Sequence, residues 1–323
     1  MNRFHVRMLI LAFASMTSLA ATAQPIAPFP EKMVRFVVPG PAGTGVDTLT
    51  RAFAERFRAI TGVPAVVENK VGANNVIGAA YFLSLPADGH SVLSVTSSLM
   101  NLLPLTQKLP YDSTRLRPLF GFSRHLGMFL ASADSGHKTL NEVVAESKAT
   151  QGGLDIGTYS LHFRVAMKSF ERLSGTKFND VPYKGPADLF VGLGGSSIPF
   201  AIADLGTSVT FVDTGKARPI AVAAANRHPA FPDVPTVAEA GYPGYEVFEV
   251  AGFAIHAETP EPLYQALEAV LARIASDPEY IALAQRVRGA VLTQLPGKEF
   301  ASLLAGRRAE QRAMLEVLGE LVK

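Results

Sequence analysis

The chain contains no cysteine among its 323 residues. Disulfide bonds, thiolate catalysis, cysteine-based metal sites and the lipid-modified cysteine of a lipoprotein are therefore excluded. The seven histidines show no metal-ligand spacing, and neither a Gly-x-Ser-x-Gly nor a His-Glu-x-x-His motif is present. An enzyme would have to assemble its site from scattered residues, so we expect no catalytic activity, no metal and no cofactor.

A strong excess of charge of one sign is also missing. The chain has 30 lysines and arginines against 28 acidic residues. Two of the arginines, Arg3 and Arg7, lie in residues 1–23, which contain no acidic residue, so the remaining chain is formally neutral. Since there is no basic stripe with interleaved aromatic residues, we expect no nucleic-acid partner.

The N-terminus has the pattern of a secretory signal peptide. The two arginines are followed by an apolar run over residues 8–14, and Ala21-Thr22-Ala23 places small residues where a signal peptidase cleaves. This predicts cleavage between Ala23 and Gln24 and export of a soluble protein to the periplasm. The apolar run is too short for a membrane-spanning helix, and no later segment is long enough. A membrane anchor that stays attached is the alternative.

Residues 34–48 are the most informative part of the chain. They predict a short buried strand, a turn rich in glycine and proline, and a helix that begins near Asp47. Such a turn brings free backbone N–H groups and the positive end of a helix dipole together, which suits an anion. A dinucleotide fingerprint would need a glycine at Thr48, and a P-loop would need a lysine here, so both nucleotide motifs are weak. A small carboxylate and a plain strand-to-helix turn both remain open.

Strands and helices alternate along the chain, which predicts an α/β fold. The opening order β-α-β-α-β requires parallel pairing with helices on both faces, and it places ligand sites at the carboxyl ends of the strands. The predicted strands are residues 34–39, 64–68, 91–96, 122–131, 154–157, 181–183, 200–204, 219–225 and 247–257. The predicted helices are residues 48–60, 75–85, 140–149, 164–173, 260–275, 278–288 and 296–317.

Five stretches carry a more specific pattern. They are residues 34–48, 68–78, 109–112, 180–185 and 230–241, and the last of them, Ala-Phe-Pro-Asp-Val-Pro-Thr-Val-Ala-Glu-Ala-Gly, is the most characteristic. In this order and spacing, from about Glu31 to the C-terminus, they resemble the Bug family. These proteins are periplasmic solute receptors of the tripartite tricarboxylate transporter type.

The resemblance implies a two-lobed periplasmic binding protein, in which each lobe is a mainly parallel sheet flanked by helices. Lobe 1 would comprise residues 24–122 and 248–323, and lobe 2 residues 123–247. The lobes would close on a small carboxylate, such as a dicarboxylate, an amino acid or an aromatic acid, without changing it. A monomer would then present this ligand to the membrane subunits of a transporter. A sensor that feeds a periplasmic signalling partner is the alternative.

The resemblance also implies where the ligand binds, namely in the loops that follow the strands. Asp47 is expected to cap its helix rather than to touch an anion. Leu99, Met100 and Leu103 are expected to pack and to make the wall of the cleft less polar than usual. The candidate ligand-binding residues are Gly40, Ala42, Gly43, Thr44, Gly45, Asn74, Asn75, Thr96, Ser97, Ser98, Thr158, Tyr159, Ser160, Arg164, Tyr183 and Asp204.

Two of these candidates carry a charge. Arg164 falls roughly where the family has a histidine, and an arginine in the cleft could hold a carboxylate through two parallel hydrogen bonds. Its alternative is a solvent-exposed helix face. Asp204 could bind a ligand amine, or it could cap the helix that begins at Gly206-Thr207. Several of these loops differ from the family pattern, which predicts an unusual ligand or a receptor that has changed from transport to sensing.

Overall fold

The computed structural model of the chain describes residues 30–287 and 289–322. The predicted signal peptide lies outside the described residues. The strands are β1 (Val34–Val38), β2 (Ala65–Asn69), β3 (Ser91–Thr96), β4 (Leu116–Ser132), β5 (Leu154–Thr158), β6 (Phe178–Pro182), β7 (Phe200–Asp204), β8 (Ala217–Ala223), β9 (Phe248–His256) and β10 (Ala290–Pro296).

The α-helices are α1 (Gly45–Thr61), α2 (Val76–Leu83), α3 (Leu103–Thr106), α4 (Leu140–Ala149), α5 (Leu161–Ser174), α6 (Pro186–Gly194), α7 (Leu205–Asp213), α8 (Glu261–Ala275), α9 (Pro278–Ala284) and α10 (Gly297–Leu318). A π-helical turn, Ser98–Leu102, leads from β3 into α3. Within the part of the chain that the structure describes, none of these helices is long and apolar enough to cross a membrane.

All of these strands belong to one mixed sheet. Its order is β2-β1-β3-β9-β4-β7-β5-β6, and β8 and β10 also pair with β4. The pairs at the two outer ends are parallel, namely β1 with β2 and β3, and β5 with β6 and β7. Every pair that involves β4 or β9 is antiparallel. The predicted α/β fold is confirmed, with its parallel pairing at the two ends of the sheet.

The long strand β4 joins the two halves of this sheet. Its residues 116–126 pair with β9, and its residues 127–132 pair with β7 and β8. The chain returns between the halves at Val247, whose carbonyl accepts a hydrogen bond from the Gly127 N–H at 2.6 Å. A Cβ on Gly127 would lie only 2.8 Å from Val247 Cγ1, so the close crossing requires glycine. The division into two lobes near these crossings stays a prediction.

The aromatic core fixes α1 against the sheet. Leu49, Phe53 and Phe57 follow the four-residue spacing that predicted this helix, and all three are fully buried. The ring of Phe53 meets the ring of Phe253 on β9 edge to face, with centres 5.1 Å apart. Such a contact contributes about 0.5–1.5 kcal/mol beyond the burial of area. The N-terminus of α1 is thereby held at the carboxyl edge of β1.

Several boundaries differ from the sequence prediction. Helix α1 begins at Gly45 rather than at Thr48, because Thr44 caps it. Strand β4 begins at Leu116, since Pro118 is accommodated next to a shift in the register with β9. Helices α6 and α3 and strand β10 were not predicted, and of α7 only a start at Gly206-Thr207 was expected. The first of these helices contains glycines, which weaken a helical pattern.

Candidate ligand-binding site

The segments that follow the carboxyl ends of six strands surround a cleft of about 760 Å³. Strands β1, β2 and β3 end there from one half of the sheet, and β5, β6 and β7 end there from the other, as expected for an α/β sheet. The lining residues are Pro39, Pro41, Thr44, Gly45, Val46, Val71, Gly72, Asn74, Asn75, Thr96, Ser98, Leu99, Leu102, Leu103, His125, Tyr159, Ser160, Leu161, His162, Phe163, Pro186, Asp204, Thr207 and Glu249.

The loop after β1 and the N-terminus of α1 form the first wall. Thr44 caps the helix, because its hydroxyl accepts a hydrogen bond from the Asp47 N–H at 3.3 Å. The buried Asp47 carboxylate instead accepts the Gly43 N–H at 2.9 Å, so it holds the loop from inside the protein. Thr44 rather than Asp47 is therefore the N-cap of α1, and Asp47 does not line the cleft. The N–H groups of Gly45 and Val46 have no partner among the described residues, and both residues line the cleft.

The turn before α2 is strained. Ala73, Asn74 and Asn75 have positive φ angles of 45°, 51° and 75°. Non-glycine residues in this region cost of order 1–3 kcal/mol each, although asparagine tolerates it best. Strain of this kind clusters at ligand sites. Asn74 and Asn75 line the cleft, where their amide groups can donate hydrogen bonds.

The turn after β3 divides its hydroxyl groups between the cleft and the protein. Thr96 and Ser98 line the cleft. Ser97 is buried and accepts a hydrogen bond from the Val250 N–H at 3.2 Å, so its hydroxyl oxygen serves β9. The N–H of Ser98 donates to Glu249 Oε1 at 3.3 Å, which joins this turn to the crossing strand.

The floor of the cleft is formed by His125, Glu249 and Asp204. His125 on β4 lies directly opposite Glu249 on β9 in the strand register. Asp204 lies opposite Gly127, two residues along β4 from His125, and therefore on the same face of the sheet. Burial raises the pKa of Asp204, as does the nearby Glu249, whereas His125 acts to lower it. The floor thus carries two carboxyl groups, on the strands that flank β4, which influence each other electrostatically.

The loops of the other half of the sheet close the cleft. Tyr159 accepts a hydrogen bond from the Asp204 N–H at 3.3 Å through its hydroxyl oxygen, and burial raises the pKa of Tyr159. Ser160 caps α5 by accepting the Phe163 N–H. Asp204 caps α7 by accepting the Thr207 N–H at 2.9 Å, as one of its two predicted roles requires. It lines the cleft as well, so its contact with a ligand amine stays a prediction.

Arg164 does not line the cleft. Its Nε lies 3.0 Å from Asp180 Oδ2, and its Nη1 lies 2.8 Å from Glu320 Oε1. The guanidinium therefore links α5 to β6 and to the C-terminal end of the described chain. Arg164 therefore occupies neither of its two predicted positions: it does not line the cleft, and its guanidinium is held in ion pairs rather than free in solvent.

The other candidates fall into three groups. Those that line the cleft are Thr44, Gly45, Asn74, Asn75, Thr96, Ser98, Tyr159, Ser160 and Asp204. Gly40 instead lines a recess of about 180 Å³ that shares Thr44, Asn75 and Thr96 with the cleft. Those that line neither space are Ala42, Gly43, Ser97, Thr158, Arg164 and Tyr183.

Local packing explains two of the latter. Thr158 is buried and donates its hydroxyl to Asp180 Oδ1 at 2.6 Å, so it is occupied inside the protein. The Tyr183 ring packs against the backbone of Gly192, where a Cβ would lie only 2.3 Å from the Tyr183 hydroxyl oxygen. Three apolar residues were expected to form part of the cleft wall. Leu99 and Leu103 do line the cleft, whereas Met100 does not.

His125 and Glu249 were not among the predicted site residues. Both lie in long strands, where only the pairing of β4 with β9 brings them together. One local signal existed, since Glu249 is the single acidic residue of the mostly apolar strand β9. Within residues 30–287 and 289–322, no group of His, Asp and Glu residues is arranged to hold a metal ion.

Comparison with known proteins identifies the family. Residues 49–304 match the model of the tripartite tricarboxylate transporter family receptor, TctC. The chain belongs to this family. A UPF0065 protein of Bordetella bronchiseptica is 28% identical over 96% of this chain and 92% of its own. The protein BugT of Bordetella pertussis is 28% identical over 67% of this chain and 68% of its own. The resemblance to the Bug family is confirmed.

Solved structures agree with this assignment. A TctC solute-binding protein from Polaromonas superimposes with a TM-score of 0.76, at 24% identity, over 89% of this chain and 99% of that chain. An R. palustris protein described with adipate also gives 0.76, at 23% identity, over 91% of this chain and 99% of that chain. The periplasmic binding protein fold is confirmed, and receptors of this family are periplasmic proteins that bind solutes.

Proposed function

We propose that this TctC-family protein is exported to the periplasm and binds a small carboxylate in the cleft. It presents this ligand, as a monomer, to the membrane subunits of a tripartite tricarboxylate-type transporter. Family membership supports the receptor role, and the N-terminal signal sequence supports export with cleavage between Ala23 and Gln24. The R. palustris protein of the same fold is described with adipate, a dicarboxylate.

The first wall is suited to the carboxylate end of the ligand. The free N–H groups of Gly45 and Val46 lie at the positive end of the dipole of α1, which is 17 residues long. The side-chain amides of Asn74 and Asn75 lie on the same side of the cleft. Hydrogen bonds from backbone and side-chain amides hold a carboxylate without a cationic side chain.

The floor is suited to a protonated amine. Glu249 and Asp204 would repel a second carboxylate, whereas an ammonium group would be attracted by both and could donate hydrogen bonds to them. This arrangement of two carboxyl groups on one face of the sheet is the observation that carries the ligand assignment. Among a dicarboxylate, an amino acid and an aromatic acid, it favours the amino acid.

The remaining wall is suited to an apolar side chain. Leucines and other apolar residues of both halves surround the space between the amide wall and the floor, and a cleft of this volume accommodates a ligand larger than the smallest amino acids. The apolar lining residues are Val46, Val71, Leu99, Leu102, Leu103, Leu161 and Phe163. An amino acid with an apolar side chain therefore fits the whole cleft.

A thermal-shift screen tests the proposal. The mature protein, residues 24–323, is melted with amino acids, with the corresponding acids that lack the amine, and with the corresponding amines that lack the carboxylate. A ligand at about a hundred times its dissociation constant stabilises the folded state by about 2.7 kcal/mol. We expect the largest increase in melting temperature with apolar amino acids. An increase with neutral analogues alone would overturn the carboxylate receptor, and a preference for dicarboxylates would overturn only the amino acid.

A further inference from the structure

A second cavity of about 360 Å³ lies on the opposite face of β4 and β9 from the cleft. Successive side chains of a strand point to opposite faces, so Arg124 and Phe248 face this cavity while their neighbours His125 and Glu249 face the cleft. The walls are α5 from one half of the sheet and α10 packed against the other. The cavity therefore spans both halves of the molecule.

Two arginines in this cavity stack on one aromatic ring. The guanidinium carbons of Arg124 and Arg307 lie 4.7 Å and 4.0 Å from the centre of the Phe248 ring. Both Nε atoms are buried and have no hydrogen-bond partner in the part of the chain that the structure describes. Neither side chain has a carboxylate within salt-bridge distance among the described residues. The arginines that do have one are Arg35, Arg51, Arg56, Arg115, Arg117, Arg164 and Arg227.

The acidic residues of the cavity do not replace such a partner. Glu246 and Glu310 also line it, and both act to raise the pKa of Arg307. Burial has the larger, opposite effect, and Arg124 adds to it, so the pKa of Arg307 is lowered overall. Glu310 is exposed and Glu246 is half-buried. The positive charge inside the cavity is thus only partly balanced.

Other hydrogen-bond donors converge on the same space. The Ser169 hydroxyl and the His162 ring have no hydrogen-bond partner within the described ranges, and Gln311 uses only its oxygen, which accepts from Asn101. His162 lines both this cavity and the cleft. A group bound here would therefore contact a residue that also faces the ligand.

We propose that this second cavity binds a small oxyanion, held between the guanidinium groups of Arg124 and Arg307. The planar fork of a guanidinium matches the oxygens of a carboxylate, a phosphate or a sulfate, which share this chemistry. The volume admits a small ion rather than a nucleotide. Since α5 and α10 belong to different halves of the fold, the bound ion stabilises one arrangement of these halves. This site does not depend on the identity of the ligand in the cleft.

The experiment is a thermal-shift titration of the mature protein with phosphate, sulfate and acetate, in a Tris chloride buffer of constant ionic strength. Arg307→Gln and Arg124→Gln are compared with Arg312→Gln, which alters an exposed arginine of the same helix. We expect at least one oxyanion to raise the melting temperature of the wild type and of Arg312→Gln, with a midpoint at least tenfold higher in the other two variants. The ion that raises the melting temperature shows whether the cavity takes a phosphate, a sulfate or a carboxylate.

Three outcomes would overturn the proposal. The first is that none of the three ions raises the melting temperature of the wild type. The second is that an ion raises the melting temperature of Arg307→Gln as much as that of the wild type. The third is that Arg312→Gln weakens the effect of the ion as much as Arg307→Gln does. Arg307→Lys keeps the charge without the planar fork, and its melting temperature in chloride alone reports whether the fold persists. We expect it to bind at least threefold more weakly than the wild type.

Discussion

His125 on β4 and Glu249 on β9 are direct partners across an antiparallel strand pair, and both side chains line the cleft. The Cβ atoms of such partners lie about 4.5–5.5 Å apart. Because β4 and β9 are the strands at which the two halves of the sheet meet, this pair is positioned by the rigid part of the fold rather than by a loop. A ligand that contacts Glu249 therefore meets a preorganised group.

Glu249→Gln is expected to change which ligand the cleft prefers. Loss of the charged acceptor should weaken binding of an apolar amino acid by about 1.5–3 kcal/mol, because a hydrogen bond to a charged group contributes about that much. Binding of the corresponding acid without the amine should stay unchanged or become tighter, since repulsion is removed. Isothermal titration with both ligands measures the difference. Glu316→Gln, at an exposed position of α10, is the control. An equal loss for both ligands would count against the ammonium contact.

Asp47→Asn is expected to lower stability in a manner that depends on pH. Burial acts to raise the pKa of Asp47, but hydrogen bonds from Arg51, Gly43 and Asn69 outweigh it and hold this pKa below its ordinary value of 3.8. A carboxyl group with a lowered pKa stabilises the folded state above the unfolded pKa, and this contribution is lost as the pH falls through the folded pKa. At neutral pH the variant should lose about 1.5–3 kcal/mol of unfolding free energy.

Urea unfolding at a series of pH values checks this prediction. The difference between wild type and Asp47→Asn should be full at pH 7 and should shrink as the pH falls below the ordinary pKa of about 4. Asp233→Asn, at an exposed position, should change little at any pH. A difference that stays constant down to low pH would show that the packing of Asp47, and not its charge, stabilises the loop.

Much of the fold could be predicted because local patterns agree with the tertiary structure. Helix α4 was predicted with its correct bounds, and it is bounded by a capping box of Thr139 and Glu142. Strands β3 and β7 were also predicted with their correct bounds. In each case the residues that end the element lie next to it in sequence, so no distant contact has to be known.

The site was harder to predict because its chemistry depends on pairing between distant segments. The sequence placed Thr96, Ser97 and Ser98 together in a loop. Ser97 nevertheless points inward, where its hydroxyl oxygen accepts a hydrogen bond from the Val250 N–H of β9. Likewise, the resemblance to the family predicted Arg164 in the cleft, whereas it pairs with two carboxylates, on β6 and near the C-terminus. Neither partner is visible from the local sequence.

Arg164→Ala is expected to leave ligand affinity within about twofold of the wild type, since the side chain does not line the cleft. Its ion pairs with Asp180 and Glu320 are partly exposed, so their loss should cost only about 0.5–1 kcal/mol of unfolding free energy. Titration calorimetry and urea unfolding measure the two effects separately. Arg172→Ala, at an exposed position of the same helix, should change neither. A tenfold loss of affinity at unchanged stability would restore Arg164 as a ligand-binding residue.

Ala73→Gly is expected to stabilise the protein without ligand, because Ala73 has a φ of 45° in the turn that presents Asn74 and Asn75. Glycine adopts this region freely, and relief of the strain should exceed the added entropy of the unfolded chain, for a net gain of about 0.5–1 kcal/mol. The matched control is Ala59→Gly, at an exposed position inside α1, where glycine should instead cost about 1 kcal/mol. Urea unfolding should therefore give changes of opposite sign. Destabilisation by both substitutions would mean that the turn relaxes from its strained conformation when no ligand is bound, and that Asn74 and Asn75 are ordered by the ligand.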